Sequence, residues 1–349
     1  MANAVVILGA GASVDFGVPM LRDVFKNAHA RRYIERDAVL RQQLETMFWL
    51  PRGHTLDTSD QSLTIEEMLT LLQDWEREER LPKRPVTGEL EDFRKRLYIL
   101  IQKAVFEGKS SKPGHLNPLI EVFRKKFQRV TWASFNWDCI FEASFYYSSG
   151  PPPYSRSNPR LLIDLAGWKQ GSVSQEYLKL HGSVNWWMVG GVPSYLSFGR
   201  GGALEKKWSE YETQAIADFP MILEPSAYKY KGPVYELLGP QWQAFLERLC
   251  EAHCVLVIGY SLPDLDIQAR SKILTAFQVN EGSRWAVVDT SADICGRYRR
   301  VLGQVRLEPF PTSLTGFNTD LVGNLQRAFP NVDFSDLKGP GPRAAGVAS

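Results

Sequence analysis

The stretch "WASFNWD" (Trp132–Asp138) sets two polar residues, Asn136 and Asp138, directly behind an apolar run that reads as a buried strand. Asparagine offers both a donor and an acceptor, whereas an ionised aspartate only accepts. At the carboxyl end of a strand, where α/β sheets bind ligands, the pair can orient a polar substrate and water. An Asn-x-Asp in this place also fits a helix cap. In "YLKLHGSVNWW" (Tyr177–Trp187), His181 likewise ends a strand and precedes Gly182, where backbone can crowd close to a partner. The chain has 5 histidines. An imidazole so placed is a candidate acid or base, with a packed structural histidine as the plainer alternative. Trp186 and Trp187 read as floor or core beside it.

Three more strand ends carry small or polar residues. "VVILGAGASVDFGVP" (Val5–Pro19) passes from apolar residues into Gly9, Ala10, Gly11, Ala12 and Ser13, with a helix expected from near Pro19. The pattern is close to a dinucleotide-binding turn, whose backbone N–H groups approach a pyrophosphate. Val14 stands where a third glycine would fall, so a plain strand-to-helix turn is the competing reading. "CVLVIGYSLPDLD" (Cys254–Asp266) and "WAVVDTS" (Trp285–Ser291) end in Gly259 and Ser261, and in Asp289. A carboxylate at a later strand end suits a ribose hydroxyl, and Ser261 suits a phosphate or a ribose.

Strands must hold these residues in place. The apolar runs predict them at Ala4–Leu8, Arg129–Ser134, Tyr177–Leu180, Met221–Leu223, Cys254–Ile258 and Trp285–Val288. Most are short and rich in Val, Ile or Leu, as in a parallel sheet covered on both faces. With helical patterns between them, the expected class is α/β: a Rossmann-like, doubly wound parallel sheet. The first crossover is far too long for a simple βαβ unit and reads as a large helical insertion lobe. "SLTIEEMLTLLQDWEREER" carries Thr64 and Glu67 at capping-box spacing before Met68, Leu71, Leu72 and Trp75. A second helix is expected over about Leu90 to Phe106. The expected organisation is one domain over 1–335, with its core at about 1–25 and 128–335 and the insertion at about 26–127. Tyr146–Pro159 and Gly190–Gly202 read as loops, "EREERLPKRP" as a solvated face, and the tail from Lys338 as disordered.

Composition narrows the classes. With 349 residues, 44% of them hydrophobic, the chain can bury an ample core. A formal net charge of +2 gives no long-range field and argues against strong direct nucleic-acid binding. No apolar run approaches the roughly 18 residues of a membrane span. The N-terminal apolar stretch breaks at Gly9, unlike a signal peptide, so a cytoplasmic location is expected. Cys250 and Cys254 bracket His253, but no second Cys/His pair completes a structural zinc site, and the four cysteines read as ordinary thiols.

Taken in order, Gly-Ala-Gly-x-Ser, Asn-x-Asp, Leu-His-Gly, the Gly-x-Ser-Leu strand end and an acidic strand end resemble the Sir2 (sirtuin-like) superfamily. "GYSLPDLD" with "LHGS" is similar to its bacterial Sir2-like branch of antiphage NADases more than to its protein deacetylases. The resemblance implies that NAD+ is the substrate. Gly9, Ala10, Gly11 and Ser13 would then form the NAD loop, and Asn136 and Asp138 would lie beside the nicotinamide and its ribose. His181 would be the catalytic histidine, and Gly259, Ser261 and Asp289 would hold the adenosine half. It also implies a homo-oligomer, and a possible partner chain of HerA-type ATPase or Argonaute-like kind. One departure matters: deacetylases of the superfamily carry a four-cysteine zinc ribbon after the histidine, and Val184–Arg248 contains no cysteine. The expectation is therefore an NAD+ glycohydrolase that needs no metal. A zinc-independent deacylase and a non-catalytic NAD or ADP-ribose binding module are the alternatives.

Overall fold

The computed structural model describes residues 2–48, 64–77, 87–107, 116–142, 144, 168–170, 173–189, 192–195, 220–223, 233–303 and 306–337. Strand β1 (Ala2–Leu8) lies at the middle of the main sheet. It pairs in parallel with β2 (Phe127–Ser134) on one side. Among the described residues, the 3-10 helix Leu21–Lys26 and six α-helices come between them in sequence. These are α1 (Gly11–Val14), α2 (Ala28–Arg36), α3 (Ala38–Met47), α4 (Ile65–Arg77), α5 (Thr87–Glu107) and α6 (Asn117–Lys126). The capping box is formed: the Thr64 N–H donates to Glu67 Oε2 at 2.7 Å and the Glu67 N–H to Thr64 Oγ1 at 3.2 Å. The helix that begins near Pro19 is a 3-10 helix, at Leu21, rather than an α-helix. Before it the chain makes the four-residue α1 and reverses at Gly17.

Beyond β2 come β3 (Trp168–Gln170) and β4 (Val173–Lys179). β4 runs parallel to β2, and β3 lies antiparallel at the edge. On the other side β1 is flanked by β8 (Cys254–Ile258), β9 (Arg284–Val288) and β10 (Leu307–Phe310), all parallel. The sheet order is thus β10-β9-β8-β1-β2-β4-β3, a doubly wound α/β sheet with six parallel strands. Three expectations need correction. Met221–Leu223 does not join this sheet: β7 (Pro220–Ile222) pairs antiparallel with β5 (Gly182–Val189) in a separate three-stranded sheet. β5 follows β4 after a turn of two residues and was not foreseen as a strand. β6 (Val192–Tyr195), on the far side of β5, occupies part of the 190–202 stretch read as loop. Tyr146–Pro159, the tail from Lys338 and residues 78–85 of the charge run lie outside the described residues.

The apolar run of β1 is explained by its two faces. Ala4, Val6 and Leu8 pack with Val130, Trp132, Leu256 and Val288 into a core shared with the helices of the crossover. α10 (Leu314–Asn318) and α11 (Leu321–Ala328) cover that same side. Val5 and Ile7 face the opposite core. There they meet Ala133, Val255 and Val257 under α7 (Pro233–Glu251), α8 (Ile267–Val279) and α9 (Ala292–Leu302). A strand buried on both faces has no polar positions to alternate, hence the unbroken Val-Val-Ile-Leu.

Candidate active site

β1 is where the sheet changes direction of growth, from β2 and β4 on one side to β8, β9 and β10 on the other. Diverging connections at such a switch point leave a crevice at the carboxyl ends of the strands. A cleft of about 610 Å³ opens there. Of the ten residues singled out in the sequence, Ala10, Gly11, Ser13, Asn136, Asp138, His181, Gly259, Ser261 and Asp289 line it, and Gly9 does not. Gly9 lies beneath, against backbone: a Cβ there would collide with Cα of Tyr260. Gly259 has φ +61°, and a Cβ on it would strike the backbone of Gly11 and Ala12. The turns after β1 and β8 can therefore touch only as glycines, and the Gly11 N–H donates to the Gly259 carbonyl at 2.9 Å.

That contact corrects one expectation. The N–H groups of Gly11, Ala12 and Ser13 are already bonded to carbonyls of Gly259, Gly9 and Ala10. The loop thus meets the cleft mainly through its surface and the Ser13 hydroxyl, rather than through a cradle of those three N–H groups.

Ser13 ties the loop to the Asn-Trp-Asp segment. Its Oγ donates to Asp138 Oδ2 at 2.6 Å and accepts from Asn136 Nδ2 at 3.0 Å. Asn136 Nδ2 also donates to the Gly9 carbonyl at 2.8 Å. All three side chains are buried. The cap reading is thereby divided: Asp138 Oδ1 accepts from the Ile140 N–H at 2.9 Å, the work of a turn cap, while Asn136 is a cross-link to the β1 turn. Asn136 Oδ1 is buried without a hydrogen-bond partner among the described residues, a donor-hungry carbonyl in a cleft-lining residue.

Beneath Asp138 lies a fully buried ion pair, Lys179 Nζ to Glu142 Oε1 at 3.0 Å. Lys179 Nζ also donates to the backbone carbonyl of Asp138. Burial pushes the Glu142 carboxyl up and Lys179 pulls it back. For Lys179, desolvation works against the ammonium, but Glu142 and its neighbours outweigh it and hold the amine charged. Burial likewise raises the neighbouring Cys139 thiol, which is no nucleophile there.

His181 sits in the turn between β4 and β5, with its carbonyl accepting from the Leu223 N–H at 2.8 Å. Its ring meets Phe135 edge-on at 5.1 Å, and Nε2 stands 3.5 Å from Asp266 Oδ1. Trp186 is buried core; the side chain of Trp187 lies outside the described residues. Asp289 follows β9 and accepts from the Ser291 N–H at 2.9 Å. Burial raises its carboxyl, and the Ser291 bond partly offsets this.

Comparison of the sequence with family models finds no match, and comparison with curated proteins finds none either. Among solved structures the chain is similar to one described as a structural basis for the mechanism and regulation of Sir2 enzymes. It shares 12% identity over 93% of each chain, with a TM-score of 0.47. A Sir2 bound to a propionylated peptide gives 12%, 92% of each chain and 0.46. A Sir2 with p53 peptide and NAD+ gives 11%, 92% of this chain and 93% of that one, and 0.44.

Sequence reasoning missed Asp266, Tyr260 and Phe135, which join His181 on the cleft wall. It also missed Glu66 and Val105, which α4 and α5 contribute from the long crossover. Asp266 stood in the quoted "PDLD", where it reads as an ordinary helix start. Among the described residues no group of three His, Cys, Asp or Glu side chains could hold a metal. The four cysteines are free thiols, and burial pushes Cys254 up to about 12. No described helix is long and apolar enough to cross a membrane.

Proposed function

We propose that the chain is an NAD+ glycohydrolase of the Sir2-like kind, releasing nicotinamide and ADP-ribose. The observation that carries the reading is the convergence of the Gly9–Ser13 turn, Asn136, Asp138, His181, Gly259, Ser261 and Asp289 at one crevice. These segments are far apart in sequence, and the crevice has the volume of a nucleotide-sized ligand site. Asp289 and Ser261 suit the adenosine half, and Asn136 and Asp138 the nicotinamide riboside.

The chemistry asks little at the leaving group. The bond between ribose C1′ and the pyridinium nitrogen breaks with its electron pair going to nitrogen, which departs as neutral nicotinamide. Water adds to the oxocarbenium-like C1′ and loses a proton, giving ADP-ribose. The chain must orient the ribose, stabilise positive charge and admit water, as glycosidases do. The buried Asn136 Oδ1 can take a hydrogen bond from a ribose hydroxyl or from the attacking water. His181 can accept the proton from either. Asp138 has Oδ2 engaged by Ser13 and Oδ1 by the Ile140 N–H; further lone pairs on its oxygens can take the nicotinamide amide.

The rest of the proposal follows the resemblance. It is a single unit over 1–335 with the insertion at about 26–127, acting in the cytoplasm as an antiphage effector. Such an effector stays silent until self-assembly or a HerA-type or Argonaute-like partner triggers it. Nicotinamide release from NAD+ by purified protein, with and without such partners, tests it. Failure under every condition while NAD+ still binds would favour the binding module. Activity should survive a chelator, because the proposed steps use no metal; activity lost to a chelator and restored by zinc would overturn the metal-free reading and point to a zinc-bearing enzyme.

Asn136 gives a second test. Asn136→Asp is expected to lower activity and not merely to preserve a cap. The substituted carboxylate has no N–H for the Gly9 carbonyl and places a second negative charge beside Asp138. Asn136→Ala should cost about 1–3 kcal/mol by removing two buried hydrogen bonds, to the Gly9 carbonyl and to Ser13 Oγ, while the Ala12 N–H still donates to that carbonyl. Melting curves and nicotinamide release on both variants check this. A wild-type rate in Asn136→Asp would move the catalytic work to Asp138 and His181.

A further inference from the structure

Asp266 occupies the N-cap position of α8, yet its side chain makes no capping hydrogen bond. Aspartate at that position ordinarily accepts from an N–H of the first turn. Here the carboxylate is buried and directed elsewhere. Oδ2 accepts from the Tyr260 hydroxyl at 2.7 Å, and Oδ1 stands 3.5 Å from Nε2 of His181.

The surroundings fix this orientation several times over. The Tyr260 ring stacks on Phe135 at 4.1 Å, and Phe135 abuts the His181 ring. The Tyr298 hydroxyl donates to the Tyr260 carbonyl at 3.0 Å. Arg297 donates to the carbonyls of Ser261 and Leu262, and Leu262 is held at φ +52°, a left-handed conformation unfavourable for a branched side chain. A loop that keeps such strain and forgoes a helix cap is shaped to aim what it carries.

We infer that Asp266 is a positioning residue for His181. Nε2 and Oδ1 stand 3.5 Å apart without a formed hydrogen bond, and the facing carboxylate favours the proton on that nitrogen, so that Nδ1 carries the lone pair. An ionised carboxylate can only accept, so a neutral imidazole facing it is better placed presenting N–H than a lone pair. When Nδ1 takes a proton from a ribose hydroxyl or from water, the ring becomes a cation, and Asp266 lies beside it to compensate. Histidine bases are commonly oriented in this way by a third group. What the acceptor does rests on the glycohydrolase reading; the contact does not.

Long-range proton–nitrogen correlation spectra of the histidine rings, recorded on the full chain, test this. The His181 signals are assigned by their loss in His181→Gln. Wild type should show the neutral ring protonated on Nε2. Asp266→Asn should mix the two tautomers and lower kcat by about 10–10²-fold with KM for NAD+ little changed. Asp266→Glu should recover part of both. A wild-type ring protonated on Nδ1, or one whose tautomer ignores Asp266→Asn, overturns the inference, and the wild-type spectrum suffices if Asp266→Asn does not fold. A protein that leaves NAD+ intact both alone and with the proposed partners, yet shows the Nε2–H tautomer dependent on Asp266, refutes the glycohydrolase reading and upholds this one.

Discussion

His181→Ala is expected to reduce nicotinamide release by about 10²–10⁴-fold, the range lost with a general base. The fold should scarcely notice. The ring contributes an edge contact to Phe135 and lies at the cleft wall rather than in the centre of either core. An aromatic contact of that kind is worth about 0.5–1.5 kcal/mol, a shift of a few degrees in melting temperature for a chain of this size. Nicotinamide release and thermal melts on the same preparations separate the two effects. Unchanged turnover would remove His181 from the chemistry; a collapse in stability would make it a packing residue.

The second large effect belongs to a residue that touches no substrate. Lys179→Met leaves Glu142 fully buried without its cation and frees the Asp138 carbonyl from its donor. Removing one partner of a buried pair destabilises by about 3–5 kcal/mol, because the abandoned charge cannot be rehydrated. Denaturant unfolding should show that loss, with activity falling as the Asp138 segment loosens. Lys179→Met combined with Glu142→Leu should recover much of the stability, since apolar replacement of both partners removes the stranded charge. A single variant as stable as the wild type would show that Glu142 simply takes up a proton in place.

How far the sequence could be read depended on how local the signal was. β1, β2, β8 and β9 announce themselves through apolar runs, because strands buried on both faces need nothing else. The start of α4 was legible because Thr64 and Glu67 satisfy each other three residues apart. Met221–Leu223 carries the same apolar letters as a parallel strand, and only its distant pairing with β5 makes it antiparallel. β10 is four residues long and includes Glu308 and Pro309, too short and too mixed to stand out. At the site, Asn136 and His181 were conspicuous as polar residues at strand ends. Asp266 was hidden by its local fitness as a helix cap, a role its side chain declines for a partner 85 residues earlier in the chain. Lys179 and Glu142 carry no local signal that marks them as partners, and only burial from several elements reveals them as a pair.

The central position of β1 also has a consequence for how the molecule comes into being. β1 pairs with residues 127–134 and 254–258, so its ladder has high contact order. At translation rates of about 5–20 residues per second, β1 waits roughly 10–50 s for β8 to be made. During that interval it is an apolar strand with open edges and a natural client for a chaperone. The cleft needs the β8 turn and Asp289 as well as the β1 turn, so no nascent fragment ending before them carries a complete site. The complete cleft is met only in chains extended past these segments.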